Sequence, residues 1–167
     1  VERFVVGDQA DQSHWPTLLD GVDCVIHNSV DWSMMRRELP DVTAHLRSNL
    51  EGSILLLQAA RPRQFIYLSS MAVFDDSSTG VRAGFEARPV DEFDVLRPAS
   101  VYGAYKAAVE AHLWAEHAEH RTHICAVRPC MVYGIDRVLE RCRGFPIVES
   151  LRRGSAPTRK EGGTYVH

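Results

Sequence analysis

The chain has 167 residues, of which 45% are hydrophobic and 25% charged, and its formal net charge is -3 at pH 7. This length suits one domain with a real core. The mildly acidic balance gives no electrostatic reason to expect nucleic acid or an anionic membrane as the main partner. The longest apolar run, at 54–57, is far below the roughly 20 residues that cross a bilayer. The four cysteines form no CxxC pair, and three of them lie in apolar or helical contexts that predict reduced, buried thiols, so a cytoplasmic protein is expected.

Short apolar segments alternate along the chain with longer segments of helical periodicity. The apolar runs predict strands at 3–8, 22–27, 64–70 and 122–128, with another strand beginning at 165–167. Two long helices are predicted, one capped by Asp41 and ended before Pro62, the other over about 101–120. A less regular helix is predicted at 138–153, with an interruption near 144–146.

Strands that lack polar alternation and are separated by helices predict a parallel sheet covered on both faces. The expected fold class is therefore α/β, with a doubly wound, Rossmann-like parallel sheet. Ligands of such sheets bind beyond the carboxyl ends of the strands. Polar or unusual side chains stand at those ends, namely Asp8, His27, Asn28, Ser29, Ser69, Ser70, Arg128 and Pro129.

The sharpest motif is Tyr102-x-x-x-Lys106, at the start of the second long helix. Residues four apart lie on one helix face, so the phenol and the ammonium point to the same side. The reference pKa of tyrosine is about 10, and a fixed cation nearby lowers it, which suits the tyrosine to acid/base chemistry near neutrality. An apolar strand upstream ends at Ser70, whose hydroxyl can polarise the same substrate oxygen.

Six segments together carry a family resemblance. They lie at 7–8, 25–27, 49–52, 65–74, 98–106 and 128–134. Their order and spacing resemble the extended short-chain dehydrogenase/reductases, the NAD-dependent epimerase/dehydratase group that includes UDP-sugar epimerases and nucleotide-sugar dehydratases. The resemblance implies hydride transfer between NAD or NADP and a small hydroxyl or keto substrate, with nucleotide sugars among the expected substrates. Members of this group commonly form homodimers through the two long helices, and the oligomeric state of the full-length protein stays open.

The resemblance further implies a role for each matching residue. Tyr102 is expected to be the catalytic acid/base, Lys106 to lower its pKa and hold the nicotinamide ribose, and Ser70 to bond the substrate oxygen. The remaining expected cofactor-binding residues are Asp8 and Gln9 near the adenine, His27, Asn28 and Ser29 along the pyrophosphate and ribose, Asn49 in support of the lysine, Ser69, and Pro129 beside the nicotinamide. No metal is expected.

The chain departs from the family pattern at both ends. It contains no G-x-x-G-x-x-G, the turn with which the family cradles the pyrophosphate at a helix N-terminus. The choice between NAD and NADP therefore stays open, and the sheet is expected to be incomplete. We expect residues 1–167 to be a partial NAD(P)-binding domain, inactive alone, in which about 136–167 begin the substrate-binding region. The rival interpretations are a non-catalytic dinucleotide sensor or scaffold, and a functionless truncated product.

Plainer structural interpretations stand beside the catalytic ones. Tyr105 is predicted to be a packing residue, and His27 a hydrogen-bonded strand-end residue rather than a titrating base. Trp32, like the other two tryptophans, is predicted to pack or to anchor a loop. The histidines of the second long helix lack the companion ligands that a metal site needs.

Overall fold

The computed structural model describes residues 4–32, 41–61, 63–74, 90–132, 134, 137–142, 145–155 and 165–166. The chain divides into two compact units. The first unit comprises 1–75 and 93–128, and the second comprises 76–92 and 129–167.

A parallel three-stranded sheet forms the centre of the first unit. Its strands are β1 (Cys24–His27), β2 (Gln64–Leu68) and β3 (Ile124–Val127), in the order β1-β2-β3. Ile26 pairs with Ile66, and Ile66 pairs with Cys125. Three of the predicted strands thus pair in parallel with helices between them. The Rossmann-like α/β class is confirmed, in a partial form.

The long helix predicted to follow Asp41 is present in three segments. They are α2 (Val42–His45), a π-helical segment (Leu46–Glu51) and α3 (Gly52–Ala59), and the short α1 (Trp15–Leu19) precedes them. The Asp41 carboxylate accepts a hydrogen bond of 3.0 Å from the Ala44 N–H, as an N-cap residue does. π-Helical segments are rare and frequently lie at functional sites, and this one contains Asn49.

The second long helix, α4 (Val101–His120), covers the same face of the sheet as α3. The two helices and β2 bury one hydrophobic cluster, made of Leu57, Ala60, Phe65, Tyr67, Tyr105, Val109 and Leu113. Tyr105 is 2% exposed within it, as its packing interpretation predicts. This core fixes the face of α4 that carries Lys106.

The other face of the sheet is open in the part of the first unit that the structure describes. Ile26 is 66% exposed there and Val127 41% exposed. Cys24 and Cys125 are exposed as well, so the expectation of buried thiols is wrong for these two. The physical reason is that both lie on the strand face that α3 and α4 do not cover.

The strand predicted at 3–8 does not form in its described residues, 4–8. Phe4 and Val6 are 84% and 80% exposed. A strand needs a neighbour for its backbone hydrogen bonds. In a doubly wound sheet of order 3-2-1-4-5-6 such a strand pairs with a neighbour other than β1, and among the described residues this sheet contains only β1, β2 and β3.

The start of α4 is pressed against a short turn that follows β2. Ser100 caps the helix by accepting a 3.0 Å hydrogen bond from the Gly103 N–H. A Cβ atom added to Gly103 would lie 2.0 Å from the carbonyl oxygen of Ala72, inside the 3₁₀ turn Met71–Val73. Only a residue without a side chain allows this approach, which brings the first turn of α4 beside the end of β2.

The end of α4 is held to the loop before β2 by a buried carboxylate. Glu116, whose side chain is 6% exposed, accepts hydrogen bonds from the Nε and Nη2 atoms of Arg61. It also accepts a 3.0 Å hydrogen bond from the Thr122 hydroxyl. These bonds, with that from Arg61 the largest cause, hold the pKa of Glu116 below its ordinary value.

The second unit contains a short parallel pair and one helix. Strand β4 (Met131–Val132) pairs with β5 (Tyr165–Val166), which confirms the strand predicted to begin at 165. The helix predicted at 138–153 is present as a 3₁₀ turn (Leu139–Arg141) and α5 (Phe145–Arg152). Pro146 falls in the first turn of α5, where a missing backbone donor is tolerated. Within the described ranges, no helix combines the length and apolarity that a membrane span requires.

We expect Gly103→Ala to lower the free energy of unfolding by about 1–3 kcal/mol, because the new methyl group overpacks against the Ala72 carbonyl. The neighbouring exposed position gives a control, since Ala104→Gly loses only helix propensity, about 1 kcal/mol. Propensity alone would give the two substitutions opposite signs. Urea unfolding measures both, and a Gly103→Ala variant more stable than the parent would contradict the close approach.

We expect Glu116→Gln to lower stability by about 1–3 kcal/mol at pH 7, because the Arg61 guanidinium loses its charged partner. A carboxyl group with a lowered pKa stabilises the fold above its ordinary value of 4.5, and that contribution is lost as the pH falls through the folded-state pKa. The stabilities of parent and variant should therefore converge toward low pH. Glu119→Gln, at a side chain 72% exposed, is the control and should change little. A stability difference that stays constant as the solution is acidified would refute the assignment.

Candidate active site

The Lys106 ammonium is buried at the carboxyl end of β2. The residue is 2% exposed, and its Nζ atom donates a 2.5 Å hydrogen bond to the carbonyl oxygen of Leu68. Three aromatic rings surround it, with Nζ 4.4 Å from the centroid of Tyr67, 5.3 Å from Tyr105 and 5.9 Å from Tyr102. Burial lowers the pKa of Lys106 to about 8, against an opposing effect of the Glu110 charge.

Ser70 stands two residues beyond Leu68, at the entry to the 3₁₀ turn that touches α4. Its hydroxyl oxygen accepts a 3.1 Å hydrogen bond from the Ala72 N–H. That bond occupies a lone pair and leaves the O–H group to donate elsewhere. The backbone contact at Gly103 and the Lys106–Leu68 hydrogen bond both bring α4 to this strand end.

The Tyr102 ring is held between two other aromatic side chains. It stacks on Trp32, with ring centroids 4.9 Å apart and planes at 23°. It meets Tyr105 edge to face at 5.6 Å. Tyr102 is half-buried, and in the described part of the chain its hydroxyl makes no hydrogen bond. The structure therefore leaves this phenol available to a ligand, one helical turn from the buried ammonium.

A buried carboxylate that our sequence analysis missed lies one turn further along α4. Glu110 is 2% exposed and accepts a 2.5 Å hydrogen bond from the Ser69 hydroxyl. Arg128, after β3, donates to both of its oxygens, with Nε at 3.1 Å from Oε1 and Nη2 at 2.6 Å from Oε2. The spacing of Tyr102, Lys106 and Glu110 at successive fourth positions was the signal that could have found it. The Ser69 hydroxyl thus bonds Glu110 in this structure, and its expected role toward a cofactor stays a prediction.

A second network gathers several of the predicted cofactor-binding residues at the end of β1. The His27 Nε2 atom lies 2.7 Å from the Ser53 hydroxyl, and its Nδ1 atom lies 3.3 Å from the Ser29 hydroxyl. Ser29 also donates to the side-chain oxygen of Gln9, whose amide nitrogen donates to the Ser48 carbonyl at 2.6 Å. Burial lowers the pKa of His27 to about 4, so the ring is neutral at pH 7.

Asn49 fixes the loop that follows β1. Its side-chain oxygen accepts a 2.7 Å hydrogen bond from the Asp31 N–H, and its amide nitrogen donates to the Asp31 carbonyl at 3.0 Å. The residue is fully buried, and the same amide nitrogen lies 3.0 Å from Nδ1 of His45. The side-chain hydrogen bonds of Asn49 thus run to this loop and to α2, whereas that of Lys106 runs to β2.

Three predicted cofactor-binding residues, Asp8, Asn28 and Pro129, make no side-chain hydrogen bond to either network among the described residues. The Asp8 carboxylate accepts a hydrogen bond from the Ala10 N–H at 2.9 Å and so closes a local turn. Asn28 is exposed beside His27. Pro129 begins the second unit. Their proposed roles toward a cofactor remain predictions.

The comparison with known proteins identifies the family. The sequence profile of the NAD dependent epimerase/dehydratase family matches residues 1–147. No curated relative matches the chain.

Solved structures with the same fold include enzymes that act on nucleotide sugars. The dTDP-glucose 4,6-dehydratase of Streptomyces venezuelae, solved with NAD bound, is 24% identical with a TM-score of 0.74, over 99% of this chain and 50% of that one. A UDP-N-acetylglucosamine 4-epimerase from Methanobrevibacter ruminantium M1, in complex with UDP-N-acetylmuramic acid, is 22% identical with a TM-score of 0.69, over 96% and 52%. A short-chain dehydrogenase/reductase superfamily protein from Agrobacterium tumefaciens with bound NAD is 24% identical with a TM-score of 0.67, over 90% and 47%.

These likenesses show the fold alone, because all of them lie below 25% identity. The chain spans about half the length of each of these structures. The profile match, by contrast, covers most of the chain, including the strand end at Ser70 and the helix that carries Tyr102 and Lys106. The chain belongs to the NAD-dependent epimerase/dehydratase family.

Proposed function

We propose that the full-length protein is an NAD-dependent enzyme that oxidises and reduces a hydroxyl-bearing carbon of a nucleotide sugar, as an epimerase, dehydratase or reductase. Tyr102 is its acid/base, Lys106 its supporting cation and Ser70 its hydrogen-bond donor. The observation that carries the proposal is the buried Lys106 ammonium, which lies one helical turn from Tyr102 and is bonded to the strand that ends at Ser70.

The residues present fit a nicotinamide ribose. An ammonium has three N–H donors. Among the described residues, Lys106 donates one hydrogen bond, to the Leu68 carbonyl. The other two are available for sugar hydroxyl groups, which a buried cation needs as compensation for lost water. Lys106 would therefore hold the ribose, with Tyr102 beside it. When bound, the oxidised nicotinamide would accept the hydride and the reduced nicotinamide would return it.

The protein's own part in the reaction is proton transfer and orientation. Tyr102 takes the proton of the reacting hydroxyl group as the carbonyl forms, and it returns that proton on reduction. The Lys106 ammonium stabilises the phenolate that this transfer requires. Ser70 donates its O–H to the same substrate oxygen, and the hydrogen bond that its oxygen accepts from the Ala72 N–H holds the hydroxyl in place.

The nucleotide-sugar class rests on the neighbours, which include a dTDP-glucose dehydratase and a UDP-N-acetylglucosamine epimerase. The expectation that 136–167 begin a substrate-binding region remains a prediction. A homodimer and the use of NADP instead of NAD also remain predictions. A non-catalytic sensor on this fold has no need of a free phenol, a buried ammonium and a donor hydroxyl together, so the three favour the enzyme.

We expect Tyr102→Phe in the full-length protein to lower kcat by about 10²- to 10⁴-fold, because the proton acceptor is lost. NAD affinity, measured by calorimetry, should change little, since the ring remains. Tyr105→Phe is the matched control on the same helix. Its hydroxyl is buried without a hydrogen bond of good geometry to the described residues, so its removal should leave turnover within a few-fold of the parent. Full turnover in Tyr102→Phe would rule out the proposed role.

We expect kcat/KM to fall above about pH 8, because the Lys106 ammonium, with a pKa of about 8, then loses the charge that stabilises the phenolate. Lys106→Arg keeps its charge throughout this range and should lack that alkaline limb, at whatever level of activity remains. Lys106→Met should be slow at every pH. An unchanged alkaline limb in Lys106→Arg would assign the titration to another group.

A further inference from the structure

We propose that Trp32 is a positioning and substrate-contact residue of this site: one face of its indole holds the Tyr102 ring, and its exposed surface receives the pyranose ring of the nucleotide sugar. The inference rests on the proposed function and deepens it by naming the part of the substrate that the loop after β1 recognises. It goes beyond the packing or loop-anchoring role that the sequence predicts for this tryptophan.

Both partners of the stack are held independently. Asn49, fully buried, bonds the backbone N–H and carbonyl of Asp31, so the residue before Trp32 is clamped on both sides. Tyr102 is the second residue of a helix that Ser100 caps. The backbone is therefore held on both sides of the stack, in which the ring centroids of Trp32 and Tyr102 lie 4.9 Å apart.

The inner face of the indole restricts the Tyr102 ring. A tyrosine in the first turn of a helix has several staggered side-chain conformations. Trp32 packs on one ring face, and Tyr105 meets the ring edge at 5.6 Å. A stacked aromatic pair favours its arrangement by about 2- to 12-fold, the equivalent of 0.5–1.5 kcal/mol. Loss of the stack should therefore reduce the fraction of molecules with a correctly aimed hydroxyl.

The outer surface of the indole has the character of a sugar platform. Trp32 is 43% exposed, although it is stacked on the group proposed to react. The π face of an indole is electron-rich, and the C–H groups on one side of a pyranose ring carry the complementary partial charge. An uncharged ring gives no favourable contact to a diphosphate. The sugar, whose hydroxyl must reach Tyr102, is the part of the substrate that fits.

The stack itself can be measured without ligand or turnover. In the full-length protein with Trp15→Phe and Trp114→Phe, Trp32 is the reporter from this part of the chain. Its emission should stay unchanged in Tyr102→Phe, which keeps the ring, and should shift to longer wavelength in Tyr102→Leu. If Trp15→Phe impairs folding, the difference spectrum between parent and Trp32→Phe serves instead. Equal emission with Phe and Leu at position 102 would overturn the stack.

Ligand contact is tested in the NAD-loaded protein with UDP-glucose and dTDP-glucose, each compared with the sugar-free UDP or dTDP. We expect a sugar nucleotide to change Trp32 emission several-fold more than its matched nucleoside diphosphate does. An equal response to both, no response to either sugar, or a full response to NAD alone would overturn the assignment of the indole surface to the sugar.

Kinetics separate positioning from a general structural effect. Trp32→Phe keeps an aromatic face and should stay within about 3-fold of the parent. Trp32→Leu should lower kcat about 10-fold and raise the sugar-nucleotide KM, with NAD affinity unchanged. Trp114→Phe and Trp114→Leu, at a 66% exposed position of α4, are the controls and should change neither constant. Equal losses in Trp32→Phe and Trp32→Leu would contradict the proposal.

Full turnover of Tyr102→Phe would instead refute the proposed function, while the ligand-free emission test would still report on the stack.

Discussion

The site depends on one buried charge, the Lys106 ammonium. At 2% exposure it has lost nearly all of its water, and an unpaired charge in such surroundings is strongly unfavourable. The fold compensates with the Leu68 carbonyl, the faces of three tyrosine rings and the nearby Glu110 carboxylate. The compensation is incomplete, as its lowered pKa shows. A ligand that offers hydroxyl oxygens to the remaining donors would complete it.

The same lysine ties the helix to the sheet, and other contacts repeat that link along α4. Gly103 allows the helix to touch the turn after Ser70. Glu110 joins the end of β2 to Arg128 through a buried ion pair that the Ser69 hydroxyl also reaches. Each contact joins α4 to a residue near a strand end. Within the described residues of the first unit, these contacts position the helix that carries Tyr102 and Lys106.

Local periodicity predicts where the candidate residues lie, because Tyr102 and Lys106 share one helix face and Ser70 follows an apolar strand. Their catalytic and binding roles were implied by the family resemblance and stay predictions. Glu110 follows from the same spacing, although our sequence analysis did not use it. The stack of Trp32 on Tyr102 could not be predicted, because it depends on how Asn49 holds a loop 18 residues away in sequence.

The errors have a common physical origin. The apolar pattern at 3–8 is typical of a strand, and the pattern around Cys24 and Cys125 is typical of a buried one. Both readings assume a complete sheet covered on two faces. In the described part of the first unit, the sheet has three strands and helices on one face, so the segment at 4–8 is unpaired and these thiols are exposed. Sequence patterns report the environment that a segment suits, and the neighbours decide whether that environment exists.

A crystal structure of the full-length protein with NAD and a nucleotide sugar would show whether Lys106, Tyr102 and Ser70 act on one bound ligand pair. We expect the Lys106 Nζ atom to bond the nicotinamide ribose. We also expect the Tyr102 and Ser70 hydroxyl groups both to lie within hydrogen-bond distance, about 2.6–3.2 Å, of one sugar oxygen. A ribose out of reach of Lys106, or a sugar oxygen that only one of the two hydroxyl groups can reach, would contradict the proposed roles.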